Sequence, residues 1–420
     1  MNYHRFLRPF LFALGYGILF YGLQFFLVRS RVFTVMPGAS NLLSWDAVFY
    51  DRIRQHGYQP GNDSGGFFFL FPLLWRISML NTWGVICLNI VLFATGFFLL
   101  TNLLRERDKQ FWLLWLTLPS LYFVFVPYTE ALFFLLGVSL LYALQQQRYK
   151  LLALLLVLIT VTRAGGLLLL PAFFIMEIAR RPRREWWCSL RLALLRYGLP
   201  GLIGLSLFVC IQFYQTGVWF YYFKVQSTVW YHVLSLPRLP FNNIEQGDWR
   251  YHWLNALAML AATTGFIWLL VQARRWYCNI PPASPPILVS CGYLVVAGLT
   301  LLFTNPKFGS AGTNIMGANR YIVSSPFFLV FLHHFARKTR KASTIAGFLA
   351  LAQIFWALFG AYAGWSRFLV TAVPGNMLIL AFMLYTGRRQ SAWLLTLIVA
   401  FDMLMQLCLF QQFIAPLYMD

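Results

Sequence analysis

Residues 84–104, "GVICLNIVLFATGFFLLTNLL", form an apolar run without a single charged side chain. A helix of about 20 residues crosses the roughly 30 Å hydrocarbon core of a bilayer, because each residue adds about 1.5 Å to its length. Apolar runs of this kind recur along the whole chain. The sequence therefore predicts an all-α polytopic membrane protein.

The composition supports the same class of protein. Of the 420 residues, 60% are hydrophobic and 11% are charged, against about 25% charged residues in soluble domains. A net charge of +21 would suit nucleic acid, but lysine and arginine lie in short tracts between the apolar runs, such as residues 105–109, 180–191 and 273–275. Such tracts are typical of cytoplasmic loops. We expect membrane lipids as partners and no nucleic acid.

The apolar runs predict about 13 membrane-spanning helices in one transmembrane domain over residues 1–420. An inner amino terminus is favoured, because the inner loops then carry more lysine and arginine in shorter segments. The six cysteines show no metal-ligand spacing, so we expect neither a disulfide framework nor a metal site, although a divalent metal stays open. The predicted spans lie near residues 9–28, 84–104, 111–127, 130–147, 151–163, 165–179, 192–213, 253–272, 285–303, 321–335, 344–362, 369–386 and 392–413.

Three large outer loops stand out, residues 29–83, 214–252 and 304–320. The first contains "SWDAVFYDRIRQHGYQPGNDSGG" (44–66) and "FFFLFPLLWRISML" (67–80). Residues 45–55 have apolar side chains at helical spacing, and residues 67–80 are too few to cross a bilayer. We predict that both segments are helices lying in the interface plane.

The first outer loop also concentrates acidic residues. Three of the chain's 12 acids, Asp46, Asp51 and Asp63, fall in residues 44–66. Carboxylates at a membrane interface are functional candidates, and Asp46 beside Trp45 is our candidate general base. The alternative for Asp46 is a helix cap or an ion pair with a neighbouring arginine. Asp51 points to another helix face, and we predict a structural role for it.

Three further charged residues lie at outer ends of predicted spans. Glu130 either complements a helix dipole or binds substrate. Arg163 sits beside two glycines and suits a lipid phosphate, because arginine makes bidentate, charge-assisted hydrogen bonds. Its alternatives are pairing with Glu130 or reaching the lipid headgroups. Arg320 opens another span from the outer side and has the same two interpretations.

Six segments in chain order carry a resemblance to a known family. They are "SWDAVFYDRIRQHGY" (44–58), "FFFLFPLLW" (67–75), "VPYTEALFFLL" (126–136), "TRAGG" (162–166), "TGVWFYYFKVQSTVW" (216–230) and "NRYIVSSPFFLV" (319–330). These segments resemble landmarks of the PIG-V family, the GPI mannosyltransferase II relatives among the GT-C membrane glycosyltransferases. One departure from the family concerns Arg54 and Gln55, where the family often has small residues, so the acceptor stays open.

The resemblance implies a GT-C-type bundle that inverts the anomeric centre of a sugar, most often mannose. The sugar passes from a polyprenyl- or dolichyl-phosphate donor to a glycolipid or glycan hydroxyl on the extracytoplasmic face. Asp46 would be the catalytic base, and Arg163, Arg320 and Tyr321 would contact the donor phosphate. The implied lining residues are Trp45, Tyr50, His56, Tyr58, Tyr128, Glu130, Gln226 and Trp230.

Two other kinds of function are also compatible with the sequence. Another GT-C enzyme would move aminoarabinose or attach mannose to protein, and a lipid-linked sugar flippase would also use many helices and intramembrane arginines. A transporter is expected to hold polar residues deep in several spans, whereas the ionisable residues here lie mostly at span ends. The short loops favour a bacterial inner membrane, with the endoplasmic reticulum as the alternative.

Overall fold

The computed structural model describes residues 3–239, 241–242, 252–306, 312–337, 342–360, 365–384 and 392–415. The fold is all-α, with about 77% of residues in helices. The chain divides into two compact units, and the prediction of one transmembrane domain stays a prediction. The first unit is Met1–Leu167, Leu199–Val225 and Asp402–Asp420, and the second is Leu168–Gly198 and Gln226–Phe401. Residues 243–251 of the second outer loop lie outside the described ranges.

Helices follow one another along the chain with few strands between them. The first ten helices are α1 (Tyr3–Arg29), α2 (Asp46–His56), α3 (Leu70–Ser78), α4 (Thr82–Leu104), α5 (Lys109–Leu116), α6 (Glu130–Gln145), α7 (Tyr149–Thr160), α8 (Ala164–Leu167), α9 (Leu169–Ala179) and α10 (Trp186–Ala193). The others are α11 (Leu199–Thr216), α12 (Tyr221–Thr228), α13 (His252–Tyr277), α14 (Pro285–Phe303), α15 (Ala318–Tyr321), α16 (Pro326–Ala336), α17 (Ala342–Gly360), α18 (Trp365–Leu384) and α19 (Ala392–Ile414).

Within the described residues, six helices are long and apolar enough to cross a membrane. The prediction of a polytopic helical membrane protein is therefore confirmed. A bent pair, Pro119–Phe125 with Glu130–Gln145, makes a seventh candidate, and several shorter apolar helices accompany it, so the count of 13 stays a prediction. The six candidates are Leu7–Arg29, Thr82–Leu104, Arg183–Thr216, His252–Tyr277, Pro285–Phe303 and Trp393–Ile414.

The span predicted over residues 111–127 is wrong as a single helix. Helix α5 ends at Leu116, and residues Pro119–Phe125 form a 3-10 helix that meets α6 at an angle of 101°. Proline has no N–H group, and it disfavours helical geometry at the residue before it. Leu118 accordingly has φ −51° and ψ 121°. The break leads the chain to Tyr128 and Glu130.

The two segments predicted as interfacial helices are both helical, as α2 and α3. Helix α2 buries Ala47, Tyr50 and Ile53, which recur every third residue and so lie on one face. Trp45 precedes α2 with φ 57° and ψ −128°, and α2 therefore starts at Asp46. Helix α3 has only nine residues, which is too short to cross a bilayer.

Each unit has its own helical core. In the first, α4 packs against α1 and α6, and α7 packs against α6 and α11. In the second, α14 packs against α9, α13 and α16. Two small sheets also belong to the second unit: β1 (His232–Leu234) pairs antiparallel with β3 (Thr304–Pro306), and β2 (Phe241–Asn242) pairs parallel with β4 (Thr313–Asn314).

Candidate functional site

Asp46 lies at the first turn of α2, where the structure fixes its backbone. Its N–H donates to the Tyr128 hydroxyl over 3.1 Å. Tyr128 is itself buried against Tyr50 and Phe413, with ring centroids 6.1 Å and 5.4 Å away. Helix α2 is therefore docked on the segment that leads into α6. Tyr50 and Tyr128, both predicted to line the site, are close to Asp46.

The arginines of α2 hold the other two acids of the loop. Arg54 Nη2 lies 2.6 Å from Asp51 Oδ1, and Arg52 Nη1 lies 2.8 Å from Asp63 Oδ1. Asp51 thus forms the kind of ion pair that its predicted structural role implies. Both arginines thus bind acids other than Asp46, which is half-buried at the positive end of the α2 dipole.

Glu130 and Arg163 form a buried ion pair. Arg163 Nη1 lies 2.9 Å from Glu130 Oε1, and their side chains are 7% and 1% exposed. The guanidinium group also lies over the Phe133 ring, 5.3 Å from its centroid, and Thr129 Oγ1 donates to Glu130 Oε2 over 3.4 Å. The predicted alternative that Arg163 pairs with Glu130 is confirmed. Glu130 thereby fixes the orientation of the guanidinium group.

A tight turn carries Arg163 from α7 to α8. A Cβ atom on Gly166 would overlap the carbonyl of Ile159, so only glycine permits this approach. The Val161 carbonyl in the same turn accepts the N–H of Leu70, at the start of α3, over 3.2 Å. The α2–α3 loop, the start of α6 and the turn bearing Arg163 therefore form one neighbourhood within the first unit.

Tyr58 supports the loop through its hydroxyl group. That group donates to the Phe67 carbonyl over 2.7 Å, and the Tyr58 N–H donates to Gln215 Oε1 over 2.7 Å. Burial raises the pKa of Tyr58 well above its ordinary value, so the phenol stays protonated and continues to donate. The structure places Tyr58 in a bracing position, and its predicted contact with substrate stays a prediction.

Two other predicted lining residues are exposed. Trp45 is 60% exposed beside Asp46. His56 is exposed at the opposite end of α2, which puts it about 15 Å from Asp46 along the helix axis. The structure therefore does not bring His56 to Asp46, because the helix that carries both residues holds them apart.

The remaining predicted residues belong to the second unit. Arg320 and Tyr321 lie in α15, and the Tyr293 hydroxyl donates to the Tyr321 carbonyl over 3.0 Å. Gln226 lies in the last turn of α12, and Trp230 follows that helix. All four are at least partly covered by protein. The predicted site residues are thus divided between the two units.

Two asparagines of the second unit, Asn255 and the Asn319 that precedes Arg320, were not predicted. The Asn319 N–H donates to Asn255 Oδ1 over 2.9 Å, and the Arg320 N–H donates to Asn319 Oδ1 over 2.8 Å. Because backbone donors fix both amide oxygens, both amide NH2 groups point elsewhere. Each side chain is buried, and neither NH2 group has a hydrogen-bond partner among the described residues.

These amide groups are suited to an oxygen-rich ligand. An unsatisfied buried donor costs about 1–3 kcal/mol, so two of them side by side need an explanation. Phosphate oxygens or sugar hydroxyls would accept hydrogen bonds from them. The only sequence signal was polarity: Asn255 interrupts a predicted apolar span, and Asn319 precedes Arg320.

The described residues contain no group of three or more His, Cys, Asp or Glu side chains that could hold a metal ion. A scan against protein-family models and searches of curated proteins and of solved structures found no match. The likeness to the PIG-V family therefore rests on the six sequence segments. Four of these, from residue 44 to residue 166, lie in the first unit.

Proposed function

We propose that the protein is an integral membrane glycosyltransferase of the GT-C type, related to the PIG-V family. One observation supports this most: Asp46 is docked through its backbone on Tyr128, two residues before Glu130, the partner of Arg163. A carboxylate and a guanidinium group thus occupy one neighbourhood of the first unit. That neighbourhood is built from segments that we predict on the extracytoplasmic side.

The proposed reaction needs no nucleotide. The Asp46 carboxylate takes the proton from an acceptor hydroxyl, and the hydroxyl oxygen attacks the anomeric carbon of the donor sugar. The bond between that carbon and the phosphate oxygen breaks, and the lipid phosphate leaves with the electron pair. Attack opposite the leaving group inverts the anomeric centre. The donor is a polyprenyl or dolichyl phosphate sugar, with mannose as our first candidate.

Cationic and neutral donors would stabilise the departing phosphate. In the first unit Arg163, held by Glu130, is a proposed phosphate contact, because guanidinium groups match phosphate geometry. For Arg320 and Tyr321, which belong to the second unit, contact with the donor phosphate is proposed from the family resemblance. The NH2 groups of Asn255 and Asn319 are two further donors within the second unit. The proposed lining residues are Trp45, Tyr50, His56, Tyr58, Tyr128, Glu130, Gln226 and Trp230.

The proposal includes a location and a fold. The bundle has about 13 spans, and the acceptor is a glycolipid or a glycan. The membrane is a bacterial inner membrane, with the endoplasmic reticulum as the alternative. Another GT-C chemistry, with aminoarabinose or a protein acceptor, would use the same arrangement of base and arginines.

A lipid-linked sugar transporter is the alternative from a different class, and one observation favours it. Asp402 is buried in α19, a candidate span, and its Oδ2 atom has no hydrogen-bond partner among the described residues. Ionisable groups inside a span often mark a transport pathway. Asp46, by contrast, lies on a helix too short to span, which favours surface chemistry.

An assay of sugar transfer in detergent distinguishes a glycosyltransferase from a transporter. The purified full chain would be incubated in micelles with radiolabelled polyprenyl phosphate sugars and a panel of glycolipid acceptors. A glycosyltransferase forms labelled glycolipid there, and mannose is the sugar we expect. A transporter forms no product, because a micelle has no second compartment. Movement of lipid-linked sugar across sealed vesicles, without transfer to any acceptor, would overturn the proposal.

A further inference from the structure

Two arginine-rich segments of the second unit meet at one place. Trp276 Nε1 donates to the Arg181 carbonyl over 2.6 Å, and the Arg183 guanidinium group lies 4.8 Å from the centroid of the Tyr277 ring. Residues 180–184, after α9, are thereby joined to residues 274–277, at the end of α13. The arginines of both segments contribute to a single surface.

The acidic residues near this surface already have partners. Glu177 is buried, accepts from the Tyr197 hydroxyl over 2.9 Å, and lies 3.6 Å from both Arg181 and Arg196. Glu185 lies 3.3 Å from Arg181. Other arginines of the two segments have no ion pair among the described residues, and the surface is therefore strongly positive. We call Arg183, Arg184, Arg274 and Arg275 the arginine surface.

Aromatic residues lie beside the arginine surface. Trp186 and Trp187, in the first turn of α10, stack with ring centroids 4.0 Å apart, and they are 42% and 67% exposed. Tyr277 is 62% exposed at the end of α13. Tryptophan and tyrosine are typical of the boundary between hydrocarbon and headgroups.

The helices leading from this surface expose apolar side chains. Beyond the tryptophan pair, Leu194 and Leu195 are about half exposed, and before Arg274 the side chains of Leu270 and Val271 are also about half exposed. Both chain segments thus connect exposed apolar residues to the arginine surface. Going back from Leu194, the chain passes the tryptophan pair and then Arg184 and Arg183, whereas in α13 Arg274 and Arg275 follow the apolar residues and Tyr277 comes after them. Apolar residues against hydrocarbon, with arginines and aromatic residues at the headgroups, match the layers of one leaflet.

We infer that the arginine surface binds the headgroup phosphate of an anionic phospholipid, with Trp186, Trp187 and the exposed leucines against its acyl chains. The guanidinium groups supply charge and hydrogen-bond donors to the phosphate. A free phosphate ion has no acyl chains to contact the adjoining apolar and aromatic residues, whereas a phospholipid has them. This binding site does not depend on the glycosyltransferase proposal.

Binding is tested with the purified full chain in neutral detergent and fluorescent phosphatidylglycerol, with phosphatidylcholine as the uncharged comparison. We expect phosphatidylglycerol to bind at least tenfold more tightly. Arg183→Gln/Arg184→Gln and Arg274→Gln/Arg275→Gln, on separate segments, should each remove most of that preference. Arg107→Gln/Lys109→Gln removes the same charge from the exposed basic segment at the start of α5 and should leave the preference unchanged.

The apolar contribution is tested by Trp186→Ala/Trp187→Ala, which should weaken phosphatidylglycerol binding while every arginine remains. Size-exclusion chromatography shows whether each variant is folded. Because the two arginine variants change separate segments, each one tests the site independently of the other. Equal binding of both lipids, or full preference in both folded arginine variants, would overturn the proposal. Displacement by millimolar inorganic phosphate, with no effect of the tryptophan variant, would identify a simple anion site instead.

Discussion

At the level of single residues, the acids of the first loop divide by their partners. Asp51 and Asp63 are held by the arginines of α2, and they stabilise the loop that contains them. Asp46 starts α2 and is positioned through its backbone by Tyr128. The clustering of scarce acids in residues 44–66 thus combines two stabilising ion pairs with one candidate base.

The buried ion pair should contribute more to the free energy of unfolding than an exposed ion pair does. Glu130→Gln leaves Arg163 buried without its carboxylate, and we expect a loss of about 3–5 kcal/mol. Asp63→Asn breaks an ion pair whose side chains are 37% and 38% exposed, and exposed pairs contribute about 0–1 kcal/mol. Thermal unfolding in detergent compares the two variants. Equal melting temperatures would contradict the assigned role of the buried pair.

A double variant separates stability from function at Arg163. Glu130→Gln/Arg163→Met removes both charges, so it should recover much of the stability lost in Glu130→Gln. Sugar transfer should remain absent, because the proposed phosphate contact is gone. Melting temperature and transfer are measured on the same preparations. Recovery of transfer together with stability would show that Arg163 only pairs with Glu130.

The sequence predicted candidate residues whose local sequence context points to a function. It did not predict residues whose importance comes from contacts with distant parts of the chain. Asp46 followed from its position after Trp45 in an interfacial segment, and Arg163 followed from charge at a span end. The Asp46–Tyr128 contact joins segments far apart in the chain, as does the contact between Asn255 and Asn319. No local pattern predicts such pairs, because they exist only once the helices pack.

At the level of elements, the α2–α3 loop is held by the end of α11 and the start of α12. Gln212 Nε2 donates to the Gly65 carbonyl over 2.8 Å. The Tyr221 hydroxyl donates to the carbonyls of Gln59 and Asn62 over 3.1 and 2.8 Å. These bonds fix the loop that follows α2 and so contribute to the position of α2.

A substitution at Gly65 tests the packing of the α2–α3 loop against α12. A Cβ atom there would overlap the Tyr221 ring and lie 3.0 Å from Val225 Cγ2, so Gly65→Ala must displace the loop or the ring. We expect a loss of about 1–3 kcal/mol and reduced transfer. Gly38→Ala, in the same outer loop, meets no atom closer than 3.8 Å and is the matched control. Equal melting temperatures for both variants would contradict the packing described here.

Element types were predictable where the pattern was strong. Helical spacing predicted α2, and the length of the apolar run predicted that α3 is too short to cross. The predicted span at residues 111–127 failed because hydropathy does not register Pro119, which ends regular helix at that point. The long helical run from α10 to α11 contains a π-helical segment, Leu194–Gly198, which an apolar pattern also cannot show.

At the level of the whole molecule, the contacts within each unit join loops that are predicted on the same side of the membrane. In the first unit, Asp46 meets Tyr128 and Tyr58 meets Gln215, and all four lie in or next to segments predicted outside. In the second unit, the contact of Trp276 with Arg181 joins two segments predicted inside. A wrong assignment of one of these loops would have placed contacting residues on opposite sides.

Cysteine labelling tests the predicted sides directly. Cys188 and Cys278 are exposed and lie in segments predicted inside, whereas Ser40 is exposed in the first outer loop. With Cys87 and Cys210 changed to serine, a membrane-impermeant maleimide should label Ser40→Cys in intact bacterial cells. Cys188 and Cys278 should react only after the membrane is opened. The reverse pattern would contradict the topology.

The class of the molecule could be read from its composition, but the number of spans could not. Long apolar runs such as residues 84–104 correspond to one helix each, as in α4 and α14. Shorter runs form helices such as α7 and α16, whose 12 and 11 residues are too few to decide between a tilted, a broken and a buried segment. Hydropathy alone therefore predicts the bundle but not its count.

The most direct test of the central claim compares Asp46→Asn with Asp51→Asn in the detergent transfer assay. Removing the general base should lower the transfer rate by about 10²–10⁴-fold, while binding of the polyprenyl phosphate sugar is unchanged. Asp51→Asn, which removes a carboxylate of the same helix from an ion pair with Arg54, should stay within a few fold of the native rate. Full transfer activity in a folded Asp46→Asn protein would contradict the account.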